Sequence, residues 1–512
     1  MKYYSKIILL ICLTLCGYSC NILDENPYDF ASPDKFFNTK DEVKSALYGV
    51  YGCLHNQFIS DAENIMMGDL GVDIMDCRSQ PDKNVFRIYL MEAPTNEYST
   101  TWHACYSGVA AANMVINRTQ NTDMEPSFKN QIIAEAMVMR AIFYHKLILM
   151  WGDVPFWTNE LNLDEVSKLG RTSKKEIVEQ LSKDLVFAGE NLPESYSQEE
   201  AGRITKWGAI ALHARICLLE NDWQQAYDLS NDVITNSPHK LLPVYNDVFD
   251  WSNKFNDELI LVIPSLFDVQ GSRIHSFSAP RARDEGGKVN GLFKKGLKAI
   301  RPDGKQVNQA ADIFRGWGMF VSTEGFLNSF EEGDIRRDIM DWHTVTMSDG
   351  TVVTLNGGDG GCRGHYTLKW AAFESVPNNG DRDLHYIRLA EMFLIRAEAA
   401  NEIGKTEEAI SSLNILRERA FGDDSHALST SLSKDEIKKA IINEHKWELG
   451  GEGLRRWYLN HWGFEYLKAA VESIKDENPK AAENIKPHHV LFKIPAEEYI
   501  KNPNLGNNNP GY

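Results

Sequence analysis

The sequence predicts a mainly α chain, a scaffold of stacked helical hairpins carrying a loop-rich and partly β insert, on three observations. Apolar residues recur at spacings of three and four through several long stretches. Two of those stretches repeat each other's spacing. Between them, from about residue 238 to 384, the pattern lapses into Gly-, Ser- and Asp-rich sequence with little sustained periodicity.

In chain order, residues 1–19 read as a signal peptide. Lys2 and Lys6 precede an apolar run from Ile7 to Leu15, too short to span a bilayer. Gly17 and Ser19 lie just before Cys20, and Asn21, Asp24, Glu25 and Asn26 turn the chain polar at once. This resembles a bacterial lipoprotein signal, with Cys20 as the lipidated first residue of the mature chain and residues 20–34 as its tether. An ordinary signal peptide with an incidental cysteine is the alternative.

Residues 35–237 form a helical region. QIIAEAMVMRAIFYHKLILMWGD and TKWGAIALHARICLLENDWQQAYDLSNDVI carry its clearest periodicity, and RLAEMFLIRAEAANEIGKTEEAISSLNILRERA resumes it after the insert. Ala214 and Ala226 share the spacing of Ala397 and Ala409. Each pair spans a helix end, a polar turn and the next helix start. Small residues where two helices cross let the backbones approach, the geometry of tetratricopeptide-like hairpins. One hairpin cannot bury its own apolar face, so several must stack. The insert, 238–384, reads as loops with short strands, placed where a rigid scaffold presents binding residues. Residues 385–512 close the chain with a C-terminal helical region and the turn-forming tail NPNLGNNNPGY.

Composition narrows the function classes. The chain has 512 residues and a formal net charge of −18, and loss of residues 1–19, whose charges are Lys2 and Lys6, would leave −20. Nucleic-acid phosphates need Lys and Arg, so no nucleic-acid partner is expected. Beyond Cys20, five cysteines remain with no C-x-x-C pair, so neither a disulfide framework nor a zinc site is expected. H-E-x-x-H, G-x-S-x-G and P-loop motifs are missing, and NGGDGGCRG reads as a hairpin turn. No cofactor, metal or catalytic residue is therefore expected. Glu331, Glu332 and Asp334, or Glu448 and Glu452, offer paired carboxylates for glycoside hydrolysis, but solvated charge beside Arg336 and Arg337 is the simpler reading.

IAEAMVMRAIFYHKLILMWGDVPF, AGRITKWGAIALHARICLLENDW, IRLAEMFLIRAEAANEIG, INEHKWELGGEGLRRW and the closing NPNLGNNNPGY resemble, in order and over nearly the full length, the landmarks of the SusD/RagB family of Bacteroidetes outer-membrane lipoproteins. The chain departs from the family's Arg-Trp-x-Asp-Leu-x-Arg stretch: Tyr458 stands for the acid and His461 for the second basic residue, which puts one local ion pair in doubt. The resemblance implies a non-enzymatic nutrient-binding lipoprotein on the extracellular side of the outer membrane. It would take a glycan or a peptide and serve a SusC/RagA-type TonB-dependent transporter. A surface glycoside hydrolase, or a helical-repeat interaction scaffold without a small ligand, is the alternative.

Stacking on sugar rings needs presented aromatic faces. Trp151, Trp207, Trp223, Trp447 and Trp457 fall within or beside helical landmarks, and Trp102 and Tyr106 share a helix face, so packing accounts for them. Trp317 lies between Gly316 and Gly318, which permit a loop presenting a large side chain, and it is the leading ligand-binding candidate. Its alternative is a plug at the loop's base. Asp76 and Arg78 lie where helical periodicity breaks before Pro81, in a loop where the family tends to place ligand contacts; a plain surface turn is the alternative there.

Overall fold

The structure is a computed structural model that describes residues 37–77, 84–91, 96–281, 289–314, 316–355, 364–374, 376 and 378–512. Cys20, the leader and tether, Arg78 and the NGGDGGCR stretch lie outside the described residues. Helix dominates, with small sheets only, as the sequence predicts.

The scaffold helices are α1 (Lys40–Leu54), α2 (Ala62–Asp69), α3 (Asn96–Gln120), α4 (Pro126–Trp151), α5 (Lys174–Asn191), α6 (Lys206–Leu219), α7 (Trp223–Asn236), α8 (Leu389–Glu402), α9 (Thr406–Phe421), α10 (Lys434–Leu449) and α11 (Arg455–Trp462). Their starts follow from side-chain caps. Thr39 and Glu42 form a reciprocal capping box on α1, Ser433 and Glu436 another on α10, and Ser173, Thr205 and Asp222 cap α5, α6 and α7. α3 through α7 pack each on the next, α7 packs on α8, and α8 on α9, so the stack runs on although residues 237–388 intervene in sequence. Ala214, Ala226, Ala397 and Ala409 are all fully buried at these crossings. α4 and α6 are buried around nearly their whole circumference, so they lack a polar face.

The chain leaves the scaffold through a strand, Leu259–Ile263, and returns through Leu384–Arg388, and the two pair antiparallel with Leu384 opposite Ile263 and Arg388 opposite Leu259. Between them, the strands Gln306–Val307, Ala299–Ile300, Thr344–Met347 and Val352–Thr354 form a four-stranded sheet in that order. This sheet covers a second, smaller core of Val289, Ala299, Ile313, Phe314, Trp342 and Met347 among others. A short ribbon pairs Met75–Asp76 with Val321–Ser322, and Tyr366 bridges both Val321 and Trp342.

Of the carboxylates read as solvated charge, Glu332 is exposed and Glu331 partly so, while Asp334, Glu448 and Glu452 are a correction. Asp334, Glu448 and Glu452 are buried, with Glu444 and Glu258, among Arg336, Arg388, Arg419, Arg417 and Lys369. Glu448 accepts from Arg388 at 2.6 Å, from Arg336 at 3.0 Å and from Arg419 at 2.5 Å. Burial opposes its ionisation, and the three guanidiniums outweigh burial and hold its carboxyl far below the usual range. Glu331 stays at the rim, paired with Arg417 at 2.7 Å. The departure at Tyr458 and His461 is also accommodated. Tyr458 donates to Glu391 at 3.0 Å, Glu391 pairs with Arg215, and His461 lies 3.3 Å from Glu398.

The C-terminal tail returns to the end of α4. Asn509 donates to the Trp151 and Phe492 carbonyls at 3.0 and 2.9 Å, and Arg171 donates to the Asn507 carbonyl at 3.0 Å. Trp151 Nε1 in turn donates to the Lys493 carbonyl at 3.0 Å.

Candidate functional site

Trp317 sits on a strap of main chain, residues 316–320, laid along the short helix Ile274–Ser278 and its continuation. Gly316 N donates to Pro280 O at 3.1 Å, Trp317 N to Ser276 O at 2.5 Å, Gly318 N to Ala279 O at 2.9 Å and Met319 N to Phe277 O at 2.8 Å. The two glycines are what this approach requires: a Cβ on Gly316 would stand 1.9 Å from Ala279 O, and Gly318 has φ +60. The Trp317 ring rests on the buried Phe277, centroids 5.2 Å apart at 36°. At 39% exposure it is the most exposed of the twelve tryptophans. One ring is thus held by its backbone and by a neighbour beneath it, with much of its surface left to solvent.

The structure brings Asp76 near this strap, since Asp76 pairs in register with Val321. Its side chain is buried, however, and engaged by Arg87, with Nε 2.7 Å from Oδ1 and Nη2 2.8 Å from Oδ2. Burial outweighs Arg87 and pushes the Asp76 carboxyl up to about 6. A carboxylate held this way shapes the ribbon that supports the strap.

Sequence reasoning missed two further features. The turn holding Leu266, Phe267 and Val269 exposes all three, with Leu266 bridged to Gln270, and the next residues tie to the 376–380 segment through Ser272 and Gly380. Asn378 N donates to Ser276 Oγ at 2.8 Å, on the same helix that anchors Trp317. Phe267 therefore offers a second exposed aromatic on the insert; its SLFDVQGS context, a large apolar pair in a turn sequence, was the available signal.

The second missed feature is a cleft of about 1090 Å³ walled by Trp102, Tyr106 and Trp157, with Glu498 and Lys501 at its rim. Trp102 meets Trp151 edge to face at 5.1 Å and Tyr106 stacks on Trp157 at 5.2 Å and 9°, so these rings do pack on the scaffold. The cleft draws no wall from the insert. Its apolar walls suit an apolar group, and it lacks the half-exposed ring that a sugar face needs. For hydrolysis, Glu448 and Glu452 are committed to the buried Arg388, while Glu331, Glu332 and Asp334 line a surface cleft of about 420 Å³ in which Asp334 is held by Arg336 and Glu331 by Arg417.

Comparison with known proteins agrees with this architecture. A family model described as the SusD family matches residues 316–512, and one described as "Starch-binding associating with outer membrane" matches residues 22–218. SusD-like protein P25 of Formosa agariphila is 29% identical over 542 residues, covering 98% of this chain and 97% of that protein. Among solved structures, a laminarin binding SusD-like protein superposes with a TM-score of 0.76 at 22% identity, covering 93% of this chain and all of that one. Surface glycan-binding protein A from Bacteroides thetaiotaomicron, in complex with laminarihexaose, does so with a TM-score of 0.73 at 19% identity over 92% of this chain and 99% of that one.

Proposed function

The chain belongs to the SusD family, and on that premise we propose that it is a non-enzymatic surface protein that binds a glycan through the insert face carrying Trp317. Cys20 is its lipid anchor in the outer membrane, on the extracellular side, and a SusC/RagA-type TonB-dependent transporter receives the ligand from it. The observation that carries the binding reading is the strapped, half-exposed Trp317 on Phe277, an aromatic platform whose ordering cost is met before any ligand arrives. Phe267 is a second exposed aromatic on the same insert. Asp76 and Arg78 are its polar candidates, with Asp76 acting through the ribbon that it forms with Val321. The laminarin and laminarihexaose named for two structural neighbours make β-glucans the first ligands to try.

The test is calorimetric titration of the protein against laminarin oligosaccharides, a wider glycan panel and peptides. Trp317→Ala should weaken glycan binding at least about tenfold, roughly 1–3 kcal/mol, with little change in melting temperature. Unchanged affinity in a folded variant would remove Trp317 from the site. Binding to peptides with no response to any glycan would overturn the ligand class.

A further inference from the structure

A second set of side chains converges on the insert, on segments that follow the Trp317 strap and bridge to it through Tyr366. Asp341 follows the short helix Arg336–Met340, His343 stands just before the strand Thr344–Met347, and His365 comes from the segment that bridges to Val321. The Nδ1 atoms of both imidazoles lie 2.6 Å from the same oxygen, Asp341 Oδ1. The rings are 5.1 Å apart, and the three candidate ligand atoms all lie within 4.8 Å of one another.

The backbone fixes this convergence. Trp342 and Tyr366 exchange hydrogen bonds of 2.8 and 3.0 Å, Leu355 N donates to His343 O at 2.8 Å, and Ser322 N donates to His365 O at 2.8 Å. Asp341 Oδ2, the oxygen that faces neither histidine, lies 2.8 Å from Arg337, whose Nε donates to Leu327 O at 3.3 Å. The Asp341 side chain is 3% exposed while His343 and His365 are 41% and 20% exposed, so the set opens to solvent on its imidazole side.

We propose that Asp341, His343 and His365 form a binding site for one divalent transition-metal ion of zinc-like character, with at least one coordination position open to solvent. Two imidazoles and one carboxylate are the ligand set that suits zinc and its neighbours, whereas calcium and magnesium take oxygen ligands throughout. Metal–ligand bonds of about 2.0–2.2 Å place ligand atoms roughly 3.0–3.5 Å apart, so the two 2.6 Å contacts to Asp341 Oδ1 must lengthen by less than about 1 Å. His343, the most exposed member, can supply that movement. Arg337 on the non-ligating oxygen holds the carboxylate in orientation, as an outer-shell partner does. Bound metal would join three segments that are separate in sequence: the residues around 341–343, the 365–366 bridge and, through it, Val321–Ser322. The inference is independent of which glycan is bound.

The competing explanation is a carboxylate that simply accepts from two imidazole N–H groups. Tag-free protein, stripped with chelator, should be titrated with zinc and with calcium by calorimetry, and with cobalt by visible absorption. The site predicts one equivalent of zinc, a cobalt ligand-field band, and a zinc-induced rise in melting temperature. His365→Ala and His343→Ala should each weaken zinc binding at least about tenfold and abolish the band. Their melting temperatures in chelator establish that they fold, and the exposed His343→Gln substitutes for His365→Ala if the latter does not. No saturable zinc binding, binding untouched by both histidine substitutions, or equal affinity for calcium would overturn the proposal.

Discussion

Asp69 links the folding of this chain to pH through a single buried acid. Fully buried, it accepts from Gly453 N at 2.8 Å and Arg455 N at 3.0 Å, and burial outweighs those bonds to push its carboxyl up to about 7. An acid raised in this way binds its proton more tightly folded than unfolded between pH about 3.8 and 7. Its contribution to stability therefore falls as pH rises through that window and levels off above it. Asp69→Asn should be destabilised, since an amide has one accepting oxygen for two N–H donors. Its deficit relative to the parent should shrink by roughly 2–3 kcal/mol between pH 5 and 8, read by denaturant unfolding. A deficit that ignores pH would refute the assignment. Nothing in MMGDLG announces such a group. Asp334 in FEEGDIRRD and the acids of WELGGEG escape a sequence reading for the same physical reason: an ion pair shows its charges in sequence, while its burial depends on what distant segments place over it.

At the scale of elements, α2 meets the loop before α11 backbone to backbone. A Cβ on Gly68 would stand 1.8 Å from the carbonyl oxygen of Gly453, itself at φ +81. Main-chain atoms cannot yield as a side-chain tip does, so Gly68→Ala should cost upwards of about 3 kcal/mol, visible as a large drop in melting temperature. A variant as stable as the parent would mean that α2 slides freely. The glycines around Gly453 were legible as a landmark, yet their partner lies near the other end of the chain. Elements whose signal is internal were read well. α4, α6, α7, α8 and α9 each span several turns, long enough for spacings of three and four to declare a helix, and the small residues Ala214, Ala226, Ala397 and Ala409 declared their crossings. Two-residue strands and the five-residue helix Ile274–Ser278 have no room for a period. The strap carrying Trp317 was legible only through Gly316 and Gly318; Phe267 and the Asp341 cluster were not, because their neighbours are set by loop closure.

For the whole molecule, the segment between α7 and α8 is bound into the scaffold rather than mounted on it. It supplies Ile274, Phe277, Met319, Phe320, Phe326, Ile339 and Trp370 to the main core. It also supplies Asp334, Arg336 and Lys369 to the buried ion network, where Arg336 reaches Glu444 and Glu448 and Lys369 lies 2.7 Å from Glu452. Replacing residues 264–383 with a short Gly-Ser linker would take two cations and one acid out of that ion network and uncover that apolar surface. Such a chain should show no cooperative thermal transition. A sharp calorimetric peak from it would establish instead that the helical stack folds alone.

The tail that caps α4 ties the timing of folding to the order of synthesis. The carbonyl of Trp151 is synthesised 358 residues before its partner Asn509, so the end of α4 reaches its finished form only after that distant partner has been made. A chain cut short before Asn509 would lose its contacts with the Trp151 and Phe492 carbonyls and carry its defect at the end of α4, open there to proteases.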